Sequence, residues 1–294
     1  LGFFAALIAY TMWGFLPLYF KAIEHISPDL ILAHRIAWSV PTGALLIAFA
    51  RNWRDVKAAL TPSRLGWLTL SAILIAANWM TYIWAVGEGR VMEASLGYYI
   101  NPLVNVLIGA AFFSERLRTM QWLAVAVATI GVSVMAVALG RLPWVALFLC
   151  FSFAAYSVIR KQVPVDGRAG FLVEVLVLIV PALAWLWHST GAGERVLGNG
   201  GWDIPLLIAA GPITALPLIF FAVAAKRLKL STIGMMQYIG PTIQFILAII
   251  LGETFGWMHG AAFACIWTAL VLFTSDSLVD NRRAKRLARA AETS

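Results

Sequence analysis

Polar and aromatic side chains that could grip a small solute recur at helical spacing inside the most apolar parts of this chain. Tyr98, Asn101 and Asn105 fall at i, i+3 and i+7, on one face of a helix, between Gly97 and Pro102. Gly234, Gln237, Pro241 and Gln244 repeat that spacing; Ser71, Asn78 and Tyr82 share a face beside Trp79, and Tyr10, Trp13 and Pro17 form a fourth stripe. Amides both donate and accept hydrogen bonds, and aromatic walls hold apolar or aromatic groups by stacking and burial. The chemistry on offer is reversible recognition of a zwitterion without fixed charge.

Such stripes would be costly against lipid, so they must face protein or a water-filled cavity. Interhelical hydrogen bonding, about 0.6 kcal/mol per contact in membranes, is the plainer alternative. The reading adopted is a substrate cavity lined by Tyr10, Trp13, Asn78, Trp79, Tyr82, Tyr98, Tyr99, Asn101, Asn105, Gln237, Tyr238 and Gln244. Pro17, Gly97, Pro102, Pro217, Gly240 and Pro241 are expected to bend the helices that carry it.

Ionisable groups inside apolar stretches are few. His34 and Arg35 form a tandem, with Asp29 near enough to pair with Arg35. Glu174 is expected to pair with Arg168 or Lys161 and is a weaker candidate for proton relay, so an ionic role falls to His34, Arg35 and Glu174. Glu115 and Glu253 sit at matched places after two apolar stretches and read as helix caps. Cys150 and Cys265 have neither CxxC partners nor histidines at ligand spacing, so they read as buried free thiols and no metal or cofactor is expected. Nucleotide-binding loops and hydrolase motifs such as GxxxxGK[ST], HExxH and GxSxG are missing, which argues against an enzyme.

What must position these side chains is a set of membrane helices. The chain is 294 residues long, 61% hydrophobic and 12% charged, with a mean hydropathy of +0.84, outside the range of soluble domains. Apolar runs long enough to cross a hydrocarbon core of roughly 30 Å predict ten spans. They lie near 1–20, 30–50, 65–87, 93–113, 119–139, 142–159, 170–187, 203–224, 231–251 and 257–278. The first has no basic region before it and reads as a retained helix, not a signal peptide.

The charge is placed on alternate connections. Arg51, Arg54, Lys57, Arg64, Arg116, Arg118, Arg160, Lys161, Arg168, Lys226, Arg227, Lys229 and the cluster Arg282 to Arg289 fall on one side. The other side has only Lys21, Arg90, Arg141 and Arg195. The positive-inside rule then puts both termini in the cytoplasm. Anionic lipid headgroups account for the basic face and tail, and no nucleic-acid partner is needed.

The chain also repeats itself. Tyr99, Ile100 and Pro102 match Tyr238, Ile239 and Pro241, and Glu115 matches Glu253. Five spans per copy is an odd number, so the second copy is inverted, as in many secondary transporters. The two tyrosine motifs are therefore expected toward opposite faces of the membrane. The fold class read from this is an all-α integral membrane protein with ten helices in two inverted repeats, 1–140 and 141–280, and a basic cytoplasmic tail, 281–294.

LAHRIAWS (32–39), NWMTYIWAV (78–86), EASLGYYINPLVN (93–105), ERLRTMQWLAV (115–125), FSFAAYSVIRK (151–161) and LSTIGMMQYIGPT (230–242) closely resemble the RarD branch of the EamA-type transporters, in the drug/metabolite transporter superfamily. The resemblance implies the ten-helix inverted fold, a bacterial inner-membrane location and movement of small metabolites. YddG-type exporters of amino acids are near relatives in the superfamily. The expected function is export of aromatic, apolar and other neutral amino acids by alternating access. Drug or other metabolite efflux is the alternative within transport, and a polytopic sensor or enzyme is the alternative outside it. The partners expected are a small-molecule substrate and the bilayer, with the protein a monomer or weak homodimer.

Overall fold

The computed structural model describes residues 1–88, 90–139, 143–250 and 257–292. Within them the chain forms helices and no strand: α1 (Gly2–Ala22), α2 (Pro28–Ala50), α3 (Trp53–Ala59), α4 (Pro62–Gly87), α5 (Val91–Phe112), α6 (Thr119–Leu139), α7 (Trp144–Gln162), α8 (Gly167–Gly191), α9 (Asp203–Arg227), α10 (Leu230–Gln237), α11 (Ile239–Ile250) and α12 (Trp257–Glu292). A helix satisfies its own backbone groups, which is why apolar chains take this form in lipid. Among the described residues, α1, α2, α4, α7, α8 and α9 are each long and apolar enough to cross a membrane. Side chains such as Phe49, Trp187 and Val137 lie more than three-quarters exposed on the outside of the bundle, as lipid-facing residues do.

Three features depart from the predicted spans. The stretch expected as one helix over 231–251 is broken at Tyr238 into α10 and α11. Pro241 has no N–H to give the carbonyl of Gln237, and its ring crowds that same carbonyl, which weakens the ladder next to the break. A seven-residue helix, α3, occupies the connection after α2. The last helix runs through the basic segment as far as Glu292.

The helices pack in matched sets. α1 lies on α9 as α4 lies on α7; α2 lies on α9 as α4 lies on α8; α5 lies on α7 as α11 lies on α1. The pairs α6–α12, α2–α8 and α5–α10 meet directly. Close approach depends on glycine where backbones touch: a Cβ at Gly211 would lie 2.3 Å from the Trp38 carbonyl oxygen, and one at Gly234 would lie 2.6 Å from that of Pro102. Two bundle ends result. The basic end gathers Glu115, Arg116, Lys161 and the segment 226–229 around one hollow. At the other end the C-terminal part of α1 and the turn after it dock on the start of α9, through Tyr19 to the Leu206 carbonyl at 3.0 Å and His25 to Asp203 at 2.9 Å.

Candidate substrate cavity

Between the helices lies a cavity with about 100 Å³ open to the centre of a water-sized sphere, several times the roughly 10–15 Å³ that one water needs. Helix α1 supplies Tyr10, Trp13, Pro17 and Phe20, a single face at i, i+3, i+7 and i+10. Asn78, Trp79 and Tyr82 come from α4 and Tyr98 from α5; Gln237 comes from α10, and Gly240, Pro241 and Gln244 come from α11. Arg35 of α2, Phe153 of α7 and Leu218 of α9 complete most of the wall. Phe20 and Tyr82 also border a second hollow of about 180 Å³ that includes Glu24 and Ile31, on the side away from the basic end.

The polar groups serve packing and lining together. Asn78 Nδ2 donates to the Leu149 carbonyl at 2.8 Å and to Ser152 Oγ at 2.9 Å, tying α4 to α7. Gln244 Nε2 donates to the Trp13 carbonyl at 3.2 Å, and Gln237 Oε1 accepts from Asn105 Nδ2 at 3.1 Å. Asn101, Asn105, Tyr99 and Tyr238 are placed behind the wall, in the α5–α10 contact. Asn101 Oδ1 accepts from Asn105 Nδ2 at 3.3 Å, and Tyr238 donates to the Tyr99 carbonyl at 3.1 Å. The two tyrosine motifs therefore touch, where the sequence reading had set them toward opposite faces. Of the expected bend points, Pro17, Gly240 and Pro241 border the cavity; α1, α5 and α9 run on unbroken past Pro17, Pro102 and Pro217, and Gly97 sits against the Ala146 backbone.

Toward the basic end the cavity is closed by rings. Tyr10, Trp13, Phe153, Tyr156 and Phe221 from α1, α7 and α9 pack with centroids 5.4–6.4 Å apart. Phe153 and Phe221 were missed by sequence reasoning, as were Phe20, Leu218 and Tyr156. Phe20 was legible as the next step of the α1 stripe. The others are ordinary apolar or aromatic residues whose facing depends on the tertiary fold.

The charged groups are paired otherwise than expected. Glu174 accepts from Ser71 Oγ and meets Arg160 at 3.4 Å, with both charged side chains nearly inaccessible; Arg168 instead pairs with Asp166 at 3.2 Å. Lys161 donates to the Leu228 and Ala225 carbonyls at 2.6 and 3.3 Å, at the C-terminus of α9. His34 Nε2 lies 2.6 Å from the Val196 carbonyl. Asp29 takes a hydrogen bond from Trp185 at 2.8 Å, leaving Arg35 to donate from Nε to Thr214 Oγ1 at 3.0 Å.

Glu115 does cap a helix, but a distant one. Its carboxylate accepts from the Leu230 and Ser231 amides at 2.6 and 3.0 Å and from the Ser231 hydroxyl at 2.7 Å, so α10 is capped from the end of α5. Ser114, in the left-handed region at φ 51°, turns the chain there, and Gly109 leaves the room: a Cβ on it would lie 2.7 Å from Glu115 Oε2. Its counterpart Glu253 lies outside the described residues.

A helical bundle with lipid-facing flanks and an amide- and aromatic-lined central cavity defines a polytopic membrane protein built to handle small molecules. Comparison narrows the class: residues 1–137 match the EamA-like transporter family. The chain is 45% identical over 285 residues to protein RarD of Salmonella typhi, covering 96% of this chain and 97% of that protein. It is 43% identical over 288 residues to an uncharacterized transporter of Vibrio cholerae, covering 97% and 95%. A crystal structure superposes with a TM-score of 0.71 at 21% identity, covering 93% of this chain and 97% of that one, which supports the fold. The chain belongs to the RarD group of the EamA-type transporters, within the drug/metabolite transporter superfamily.

Proposed function

We propose that this protein exports small metabolites, foremost amino acids with aromatic, apolar or other neutral side chains, across the bacterial inner membrane by alternating access. The observation that carries the reading is the cavity itself: aromatic walls, amide groups and Arg35 meet between the helices, shut by packed rings toward one end and bordered by a second hollow toward the other. An amino-acid side chain would lie on the rings while its polar end meets the amides and Arg35. Phe20 and Tyr82 line both hollows and so stand where a gate between them would be.

The proposed frame is ten crossings, with α10 and α11 together forming the ninth, arranged as inverted repeats over 1–140 and 141–280. Support comes from the matched packing, in which α1–α9 answers to α4–α7, α2–α9 to α4–α8 and α5–α7 to α1–α11 when the two halves are exchanged. The basic end is assigned to the cytoplasm, and with it both termini and the 281–294 tail, on the strength of its Arg and Lys content. The protein works as a monomer or weak homodimer, with anionic lipid headgroups against that end.

The test is exchange of labelled amino acids by the purified protein in liposomes. Aromatic and branched apolar amino acids should equilibrate faster than in empty vesicles, and equal rates across a broad panel overturn the substrate assignment. The aromatic walls suit flat apolar drugs as well, so chloramphenicol belongs in the panel; its movement without that of amino acids establishes drug efflux instead.

A further inference from the structure

Arg35 is the one charged side chain among the described residues that line the cavity. It is 6% exposed, and its charge meets Thr214 Oγ1 at 3.0 Å and two ring faces, with Cζ 4.5 Å from the Trp79 centroid and 5.5 Å from that of Phe20. Among the described residues no carboxylate pairs with it: Asp29, the acid nearest to it in its own helix, is held by Trp185. A cation taken out of water is costly unless an anion joins it, and ring faces with one hydroxyl offset only part of that cost. The planar guanidinium is a fork matched to a carboxylate, able to give two parallel hydrogen bonds.

The wall has no opposite feature. None of its described residues is an Asp or Glu, so an ammonium group entering the cavity finds only amide oxygens, hydroxyls and ring faces, and is repelled by Arg35. A carboxylate neutralises the site, whereas a zwitterion leaves it with the charge it had. We infer that Arg35 is the carboxylate-recognition residue of the cavity and that the site selects monoanionic carboxylic acids with an aromatic or apolar body, the α-amino group being dispensable. This rests on the cavity being the substrate site proposed above.

The experiment combines binding with transport, so that the two ideas fail separately. Detergent-purified protein is tested for ligand-induced thermal stabilisation by phenylalanine, 3-phenylpropionate and phenethylamine, and proteoliposomes are tested for counterflow of the same three. Expected for the wild type is binding of both carboxylates, with 3-phenylpropionate at least as tight as phenylalanine and phenethylamine about tenfold or more weaker. R35Q should abolish the preference for carboxylates, and R35K, which keeps the charge and loses the fork, should retain the preference with weaker binding. Should R35Q not fold, R35K carries the test, and unchanged affinity there overturns the inference. So does equal binding of phenethylamine, an undiminished preference in R35Q, or no binding of any of the three. Carboxylate-selective binding that depends on Arg35 but comes without counterflow upholds the inference and removes the transport assignment for these solutes. Counterflow of all three at equal rates does the reverse.

Discussion

Arg160 and Glu174 face each other at 3.4 Å with about 2–3% of either side chain exposed, and Ser71 donates to the same carboxylate oxygen. Arg160 also donates to the Gly167 carbonyl at 3.0 Å, so the pair joins α7, α8 and α4. Removing one partner leaves a charge stranded in apolar surroundings, at a cost of about 3–5 kcal/mol, whereas removing both leaves none. E174Q and R160M should therefore each lower the denaturation midpoint in detergent markedly, and R160M combined with E174L should recover most of the loss. A double variant no better than the singles would contradict this. The sequence showed that Glu174 needed a cation but not which one. Arg160 follows Tyr156 by four residues on the buried face of α7, and Lys161, about 100° further round, reaches the end of α9 instead. The expected Asp29–Arg35 pair was unsound on spacing, because residues six apart do not share a helical face.

At the scale of elements, the apolar runs located the helices because in lipid a long apolar segment has little else it can form. The break between α10 and α11 was not legible from proline alone, since Pro17, Pro102, Pro212 and Pro217 all sit in helices that continue past them. Nor is the Gly-Pro pair decisive, since Gly211–Pro212 repeats it inside the unbroken α9; the tertiary contacts of α10 and α11 decide where the ladder gives way. P241A should restore the N–H to Gln237 and stiffen this element, raising the unfolding temperature while slowing exchange in liposomes; faster exchange would count against a bend at this point. Close crossings give a paired test. G211A forces a methyl against the Trp38 carbonyl and should cost about 1–3 kcal/mol by overpacking, whereas G66A, with no neighbour within 4 Å, should be neutral or gain up to about 1 kcal/mol in helix propensity. Loss of stability in G66A equal to that in G211A would show that the α2–α9 contact is not what makes Gly211 costly to replace.

Across the whole molecule the cavity drew on more helices than the sequence indicated. Arg35 was legible as a charge in an apolar stretch but not as part of this wall, and Phe153 and Leu218 are ordinary apolar residues that only the bundle reveals. The same holds for Glu115, whose capping role was legible while its partner, 115 residues away at Leu230, was not. That cap links the two proposed halves at the basic end, and E115A should weaken it by about 1–2 kcal/mol. With Cys150 and Cys265 replaced by serine and a single cysteine introduced at Phe153, E115A should raise its labelling by a membrane-impermeant maleimide added from the basic side. An unchanged labelling rate would mean that the cap does not help keep that side closed.

The five packed rings below the cavity bear on a different hazard. Any protein that moves solutes through a polarised membrane must not let protons follow, and protons move along chains of hydrogen-bonded water. Rings at 5.4–6.4 Å spacing offer such a chain little footing; of the two hydroxyls among them, on Tyr10 and Tyr156, that of Tyr10 finds no partner among the described residues. A dry constriction of this kind resists wetting. The rings can therefore insulate the membrane voltage while the cavity above them fills and empties, so the size of the solute passed and the tightness of the seal are set by the same side chains.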